Sequence, residues 1–302
     1  MVPRRVGHLN SGARVAAIEP LLAAFESGLA AHGHVMGTTL LVEYVFSTPS
    51  QEPLRRAASE LAHRCEVMVT SGTICAVAAR DAGARIPVVF APAGFPVEIG
   101  LVHSLRRSGT NFTGISFEAA EDTYAKRLQM LKDIVPKLTQ VGVLADGNDP
   151  NSVPALDSLR RLAPALHVEL IVATVFETGE LGAVFSDLAK RGVQGVIVIA
   201  GAFSFRNRAA IAQLALSQKL PSVHGFGEAV ADGALLSLGP DLNVLANQAA
   251  SYVTRILAGG SPADMPIEQP TRYEVSVNRQ TARRLGIALP ASLLYRADHV
   301  ID

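Results

Sequence analysis

Two doubly wound, parallel-sheet α/β lobes are predicted for this chain, and three observations carry the prediction. Apolar runs of strand length alternate with amphipathic helical windows, the pattern of parallel βαβ units. The strand-like runs end in small polar loops, and the series occurs twice. At 302 residues the chain has room for two lobes of roughly 100–150 residues, each able to bury its own core.

In the first half the strand ends read Val6-Gly7-His8-Leu9-Asn10-Ser11-Gly12, Val67-Met68-Val69-Thr70-Ser71-Gly72-Thr73 and Val88-Val89-Phe90-Ala91-Pro92-Ala93-Gly94. In the second half they read Val141-Gly142-Val143-Leu144-Ala145-Asp146-Gly147-Asn148, Val196-Ile197-Val198-Ile199-Ala200-Gly201-Ala202 and Ser222-Val223-His224-Gly225-Phe226-Gly227-Glu228. Helical windows span 17–31, 53–64, 118–134, 154–166, 180–191, 207–218 and 245–258, several closed by glycines such as Gly33, Gly192 and Gly259. Extended segments at 111–116, 233–241 and 272–278 are expected to be three hinge crossings, the last leading into a short helix at 279–285. They place 1–115 and 240–270 in an N-terminal lobe, and 116–239 and 271–302 in a C-terminal lobe. Ligands of open α/β sheets bind outside the carboxyl ends of the strands, so two such lobes are expected to close on one small molecule.

Composition removes whole classes of partner. Hydrophobic residues make up 49% and charged residues 18%, and 27 basic residues balance 27 acidic ones. No basic field exists to gather phosphates, so nucleic acid is not expected. Trp is absent and aromatic content is 5%, so any stacking surface must come from Phe and Tyr. No run approaches the ~18 apolar residues that span a bilayer. The start, Met1-Val2-Pro3-Arg4-Arg5-Val6, enters the first strand without a secretory apolar stretch, which fits a cytoplasmic protein or one whose signal has been removed. Two cysteines, Cys65 and Cys75, are too few for a disulfide framework and lack metal-ligand spacing; both are expected to be buried thiols. No cofactor and no metal are expected.

Several segments together resemble a known family. These are Thr70-Ser71-Gly72-Thr73 before an Ala-rich helix, Ile86-Pro87-Val88-Val89-Phe90, Pro96-Val97-Glu98-Ile99-Gly100-Leu101-Val102, Gly109-Thr110-Asn111-Phe112-Thr113-Gly114, the run from Gly233 to Asp241, and the closing Ala297-Asp298-His299-Val300-Ile301. In order and spacing the chain resembles, over nearly its whole length, the bacterial ABC-transporter substrate-binding proteins of the tryptophan- and aromatic-amino-acid-binding lipoprotein group. The resemblance implies the type I periplasmic binding protein fold. It also implies a periplasmic or membrane-tethered location after signal cleavage, ABC permease subunits as partners, and a monomer. Where many relatives carry an Asp just before the Pro-Val, this chain has Ala93-Gly94-Phe95, so a charge for a ligand ammonium is missing there. That leaves room for an aromatic or other apolar carboxylic acid.

The candidate ligand-binding residues follow from strand-end chemistry. Ser71, Gly72 and Thr73 lie where a strand gives way to a helix, and exposed N–H groups and hydroxyls there either bind an anion or cap the helix. Asn10 and Ser11 after the first strand share that logic. Asp146 and Asn148 stand in a loop that lacks the length and closing Glu of a calcium site; it is a turn or helix cap from which either residue can reach a ligand. Asp241, after Gly239-Pro240, is a candidate partner for a ligand cation or hydroxyl, and equally a turn cap. Phe95, Phe117, Phe203 and Phe226 fall at or beyond strand ends, where rings can sandwich an apolar body; Gly94 and Gly201 complete the set. Glu228 reads as an exposed helix-start residue, although it can also face the cleft.

The strand-end loops are expected to carry no Arg or Lys before Arg206, which suggests that neutral donors recognise a carboxylate. The expected function is therefore the substrate-binding component of an ABC importer, closing on an apolar or aromatic amino acid or a related carboxylic acid. The alternative is a two-lobed ligand sensor or racemase-like enzyme. A racemase of this kind needs a thiol in each lobe, and both cysteines fall in the first; no nucleophile elbow, phosphate loop or dinucleotide fingerprint is present. Catalysis is not expected.

Overall fold

The protein is described from a computed structural model, which places residues 2–118 and 122–302. It divides into two compact units. Unit 1 comprises Met1–Ala119, Asn148–Asn151 and Leu242–Thr271, and unit 2 comprises Ala120–Gly147, Ser152–Asp241 and Arg272–Asp302.

Unit 1 begins with β1 (Arg4–Ser11), α1 (Glu19–Ala31), β2 (Leu40–Ser47), α2 (Gln51–Arg64), β3 (Val67–Ser71), α3 (Thr73–Asp81), β4 (Val88–Ala93) and β5 (Phe112–Ser116). Unit 2 follows with α4 (Asp122–Ile134), β6 (Gln140–Asp146), α5 (Ser152–Leu162), β7 (Glu169–Val175), α6 (Leu181–Lys190), β8 (Val196–Val198), α7 (Ala202–Arg206), α8 (Arg208–Ser217), β9 (Ser222–His224), α9 (Glu228–Ala231) and β10 (Leu236–Gly239). Helix α10 (Leu242–Leu257) and strand β11 (Ile267–Glu268) belong to unit 1, while β12 (Glu274–Asn278), α11 (Arg279–Leu285), α12 (Ala291–Arg296) and β13 (His299–Ile301) complete unit 2.

The duplication expected from the sequence is present in the topology. The sheet of unit 1 runs β11-β5-β4-β3-β1-β2 and that of unit 2 runs β13-β12-β10-β9-β8-β6-β7. The first five strands of each sheet are therefore wound in the same order, and their pairings are all parallel. The units differ in what is added at the edge: β11 lies parallel to β5, whereas β12 lies antiparallel to β10 and carries β13. In each sheet the strand order reverses at one point, between β1 and β3 in unit 1 and between β6 and β8 in unit 2.

Burial explains the strand sequences. In β1 the last six residues, Val6 to Ser11, are all buried, and in β6 Val141 to Ala145 are, as expected of strands covered by helices on both faces. The helices bury stripes instead: Leu54, Ala58 and Leu61 in α2, and Leu181, Phe185 and Leu188 in α6. Each unit has its own core. Leu9, Leu61, Met68, Val88 and Phe90 anchor the first, and Leu144, Phe185, Leu188, Val196 and Ile211 the second.

The helical windows 17–31, 53–64, 154–166, 180–191, 207–218 and 245–258 correspond to α1, α2, α5, α6, α8 and α10 with ends shifted by a few residues. The window 118–134 is α4 over Asp122–Ile134, and its residues 119–121 lie outside the described residues. Strands β2 and β7, which are absent from the expected strand series, are edge strands with mixed burial along their length. Cys65 and Cys75 are buried, as expected, and burial pushes the Cys65 thiol above its ordinary pKa.

Candidate functional site

The rule for doubly wound sheets directs attention to the loops beside each reversal of strand order. In unit 1 these are the loops after β1 and β3. Asn10 and Ser71 are register partners on those neighbouring strands. Asn10 is buried at the end of β1, where its amide donates to His8 Nδ1 at 3.0 Å and to the His8 carbonyl at 3.1 Å. A ring that accepts at Nδ1 carries its proton on Nε2. Burial holds that imidazole neutral, its pKa pushed down to about 3. His8 packs edge-on against Phe25 at 5.2 Å and tilted against Tyr44 at 5.1 Å. Together with Ser71, Phe25, Ala91 and Pro92 it lines a cavity of about 20 Å³, room for one water.

Ser11 is the buried last residue of β1, and Ser71 is half-buried at the end of β3. Gly72 then turns the chain into α3 with a φ of 84°, a left-handed conformation that a side chain would strain. Thr73, the first residue of α3, neither caps the helix nor presents its hydroxyl outward. It is buried, and its Oγ1 accepts the Gly94 N–H at 2.9 Å. The Gly72 N–H donates to the Pro92 carbonyl at 3.2 Å, so the loops after β3 and β4 are stitched together.

Those bonds set the positions of the aromatic candidates. A Cβ on Gly94 would stand 2.7 Å from Asn151 Cγ and 2.9 Å from Phe117 Cζ; glycine is the residue that lets the Asn151 amide and the Phe117 ring lie against this backbone. Phe95 follows with a φ of 46°, a costly conformation for a bulky residue. Its carbonyl takes the Ile99 N–H at 3.0 Å, closing the turn. Phe95 and Phe117 are both buried. Asn151 was missed in the sequence; its backbone N–H donates to Asp149 Oδ1 at 3.0 Å, and Asp-Pro-Asn was the turn signal that could have found it. Asn148 lies in the same segment and is half-buried.

The loop after β1 also corrects the reading that neutral donors alone serve these loops. It runs on past Gly12 to Arg14, whose guanidinium pairs with both oxygens of Glu19 at 2.7 and 2.8 Å and lies 5.8 Å from the Tyr44 ring and 6.0 Å from that of Phe46. A cation and two rings therefore stand at the ends of β1 and β2.

In unit 2, Asp146 ends β6 and is half-buried, its carbonyl accepting from Ser152 Oγ at 2.7 Å. Gly201 precedes α7, so the expected loop at 201–203 is the start of a short helix. Phe203 lies on that helix and packs in part against the core of unit 2. Phe226 is buried after β9, edge-on to Phe205 at 5.8 Å. Asp241 is exposed, directly before α10. Arg127, which no motif marked, is the largest fully buried side chain among the described residues. Its Nε donates to the Leu238 carbonyl at 3.0 Å and its guanidinium covers the Tyr124 ring at 4.6 Å, while the Tyr124 hydroxyl accepts the Ala200 N–H at 3.2 Å. Helix α4 is thereby pinned to the ends of β8 and β10. Among the described residues no group of His, Cys, Asp and Glu could hold a metal ion, and no helix is long and apolar enough to cross a membrane.

A duplicated doubly wound sheet with small polar and aromatic residues at its strand ends is an architecture suited to binding a small molecule. The chain matches the ABC transporter substrate binding protein family over residues 17–301 and belongs to it. A tyrosine-binding protein of Clostridioides difficile (strain R20291) is 24% identical over 264 residues, covering 87% of this chain and 75% of the relative. Among solved structures, an ABC domain in complex with L-Trp from Streptococcus pneumonia shares the fold with a TM-score of 0.91 at 21% identity, covering 99% of this chain and 100% of the other. A solute-binding protein of R. palustris in complex with 4-hydroxybenzoate superposes with a TM-score of 0.60 at 13% identity, over 87% and 83% of the two chains. The family is one of solute-binding proteins.

Proposed function

We propose that this protein delivers an aromatic amino acid, or the corresponding aromatic carboxylic acid, to the permease of an ABC importer on the outer side of the cytoplasmic membrane, without chemical change to the ligand. The observation that carries the reading is the set of side chains held at the carboxyl ends of the unit 1 strands: Asn10 and Ser11 at the end of β1, Ser71 at the end of β3, and Phe95 and Phe117 just after β4 and β5. Polar groups of this kind orient a carboxylate, and rings supply apolar area. From unit 2 the reading takes Asp146, Gly201, Phe203, Phe226 and Asp241, and it adds Gly72, Thr73, Gly94 and Asn148 as the backbone and turn positions that shape the surface. Family membership supports the permease partnership, and the tyrosine- and tryptophan-binding relatives support the ligand class.

The test is a thermal-shift panel of L-tryptophan, L-tyrosine, L-leucine, benzoate, 4-hydroxybenzoate and myo-inositol. A ligand held at 100 times its dissociation constant adds about 2.7 kcal/mol of stability, so a true ligand raises the melting temperature by several degrees. Stabilisation by an aromatic compound supports the reading. A response to myo-inositol alone overturns it.

A further inference from the structure

One carboxylate in unit 2 is placed where the sequence did not expect it. Strand β9 ends at His224, and Gly225-Phe226-Gly227 leads to Glu228, the first residue of α9. Because β9 lies between β8 and β10, Glu228 stands at the carboxyl edge of the sheet, with the loop that carries Asp241 following the neighbouring strand. Far from being an exposed helix-start residue, it is half-buried. Among the described residues no other residue gives its carboxylate a hydrogen bond or an ion pair; it takes one from its own backbone N–H. Arg208, the cation within electrostatic reach, is committed elsewhere. Its Nε pairs with Asp232 at 2.7 Å, its Nη1 donates to the Phe205 carbonyl at 3.0 Å, and its guanidinium covers the Phe205 ring at 4.7 Å.

A second, independent observation lies on β10. Ser237 is fully buried, and its hydroxyl has no hydrogen-bond partner among the described residues. It faces the turn before Glu228: a Cβ on Gly227 would lie 4.0 Å from Ser237 Oγ and 3.2 Å from Ser276 Oγ. A partly desolvated carboxylate and a fully buried, unpartnered hydroxyl beside one turn are costly to keep in a folded protein unless something supplies the missing partners.

We propose that Glu228, with Ser237 behind it, receives the ammonium group of an amino-acid ligand. The proposal rests on the aromatic-ligand reading above and decides between its two branches, favouring the amino acid over the plain acid. An ammonium brings three donors and a positive charge, which satisfies both the carboxylate and a hydroxyl oxygen. The electrostatics agree: burial raises the Glu228 pKa above the ordinary carboxylate value, Asp241 and Asp232 raise it further, and Arg208 with the backbone bond offsets only part. Asp241, exposed on the next loop, adds negative potential from outside the turn and is the lesser partner.

The experiment is calorimetric titration of the wild-type, Glu228→Gln, Ser237→Ala and Asp241→Asn proteins with L-tryptophan and L-tyrosine, and with indole-3-propionate and 3-(4-hydroxyphenyl)propionate, which lack the ammonium. Wild-type protein is expected to bind the amino acids more than tenfold tighter than their deaminated counterparts. E228Q loses at least tenfold for the amino acids and nothing for the deaminated acids, so the preference collapses; S237A and D241N lose less. The apo E228Q protein melts no lower than wild type, because it no longer buries a charge, and this guards against misfolding as the cause. Undiminished amino-acid binding by E228Q, or an equal loss for both series, overturns the proposal alone. Failure of the wild-type protein to bind either series overturns the aromatic-ligand reading and this proposal together.

Discussion

Thr73 Oγ1 accepts the backbone N–H of Gly94 at 2.9 Å. The bond joins the start of α3 to the loop after β4, and it separates two hydroxyls that stand two residues apart in the sequence: Thr73 holds a loop in place, whereas Ser71 remains half-buried at the strand end. Thr73→Val conserves shape but leaves the buried Gly94 N–H without its acceptor, a loss of about 1–3 kcal/mol. Ser71→Ala is expected to change stability by less than about 0.5 kcal/mol and to weaken a carboxylate ligand about tenfold or more. Urea unfolding and calorimetry on the two variants check this; equal stability effects would remove the distinction.

Gly94→Ala inserts a methyl group between the Asn151 amide and the Phe117 ring, at 2.7 Å and 2.9 Å from their nearest carbons. Neither neighbour is free to retreat, because both are buried. Overpacking of this kind costs about 1–3 kcal/mol. The variant is expected to lower the urea midpoint without changing the slope, and to lower affinity for any aromatic ligand that uses Phe95 or Phe117.

Two histidines make the protein acid-sensitive above the range where carboxylates titrate. His8 and His224 are both buried and held neutral, with pKa pushed down to about 3, while the unfolded chain binds their protons near pH 6.5. Between these limits the unfolded state holds more protons, so stability rises with pH and is lost as pH falls through 6.5 toward 3. Each histidine contributes a slope of about 1.4 kcal/mol per pH unit in the lower part of that window. Urea titrations at pH 7.5, 6.0 and 5.0 should show a steepening decline, and a flat response from 6.5 to 5.0 would refute it.

Phe203 and Phe185 offer a contrast inside unit 2. Phe185 is fully buried in the core, and its replacement by Ala should cost about 3–5 kcal/mol. Phe203 only flanks that core. Phe203→Ala should cost about half as much or less in stability while lowering affinity for an aromatic ligand, as measured by the same unfolding and titration experiments. A variant that loses stability and keeps full affinity would assign Phe203 to the core alone.

Local chemistry was enough to read the α/β class, the duplication and most helices, because each rests on short-range periodicity. Val6 to Ser11 and Val141 to Ala145 are apolar runs ending in small polar residues wherever they fold, and Leu54, Ala58 and Leu61 form a stripe on any helix. The same is true of the strand-end positions of Asn10, Ser11, Ser71 and Asp146, which follow directly from where the runs stop. The role of each side chain at those positions depends instead on partners far away in the chain. Thr73 is a loop tie because its hydroxyl meets the N–H of Gly94, 21 residues distant, Gly94 is glycine because Asn151 lies over it, and Arg127 is held inside by the Leu238 carbonyl and the Tyr124 ring. Glu228 is half-buried rather than exposed, at a turn that lies against Ser237 and Ser276 of two other strands. Contacts of this kind are created by the winding of the sheet, and no spacing along the chain records them.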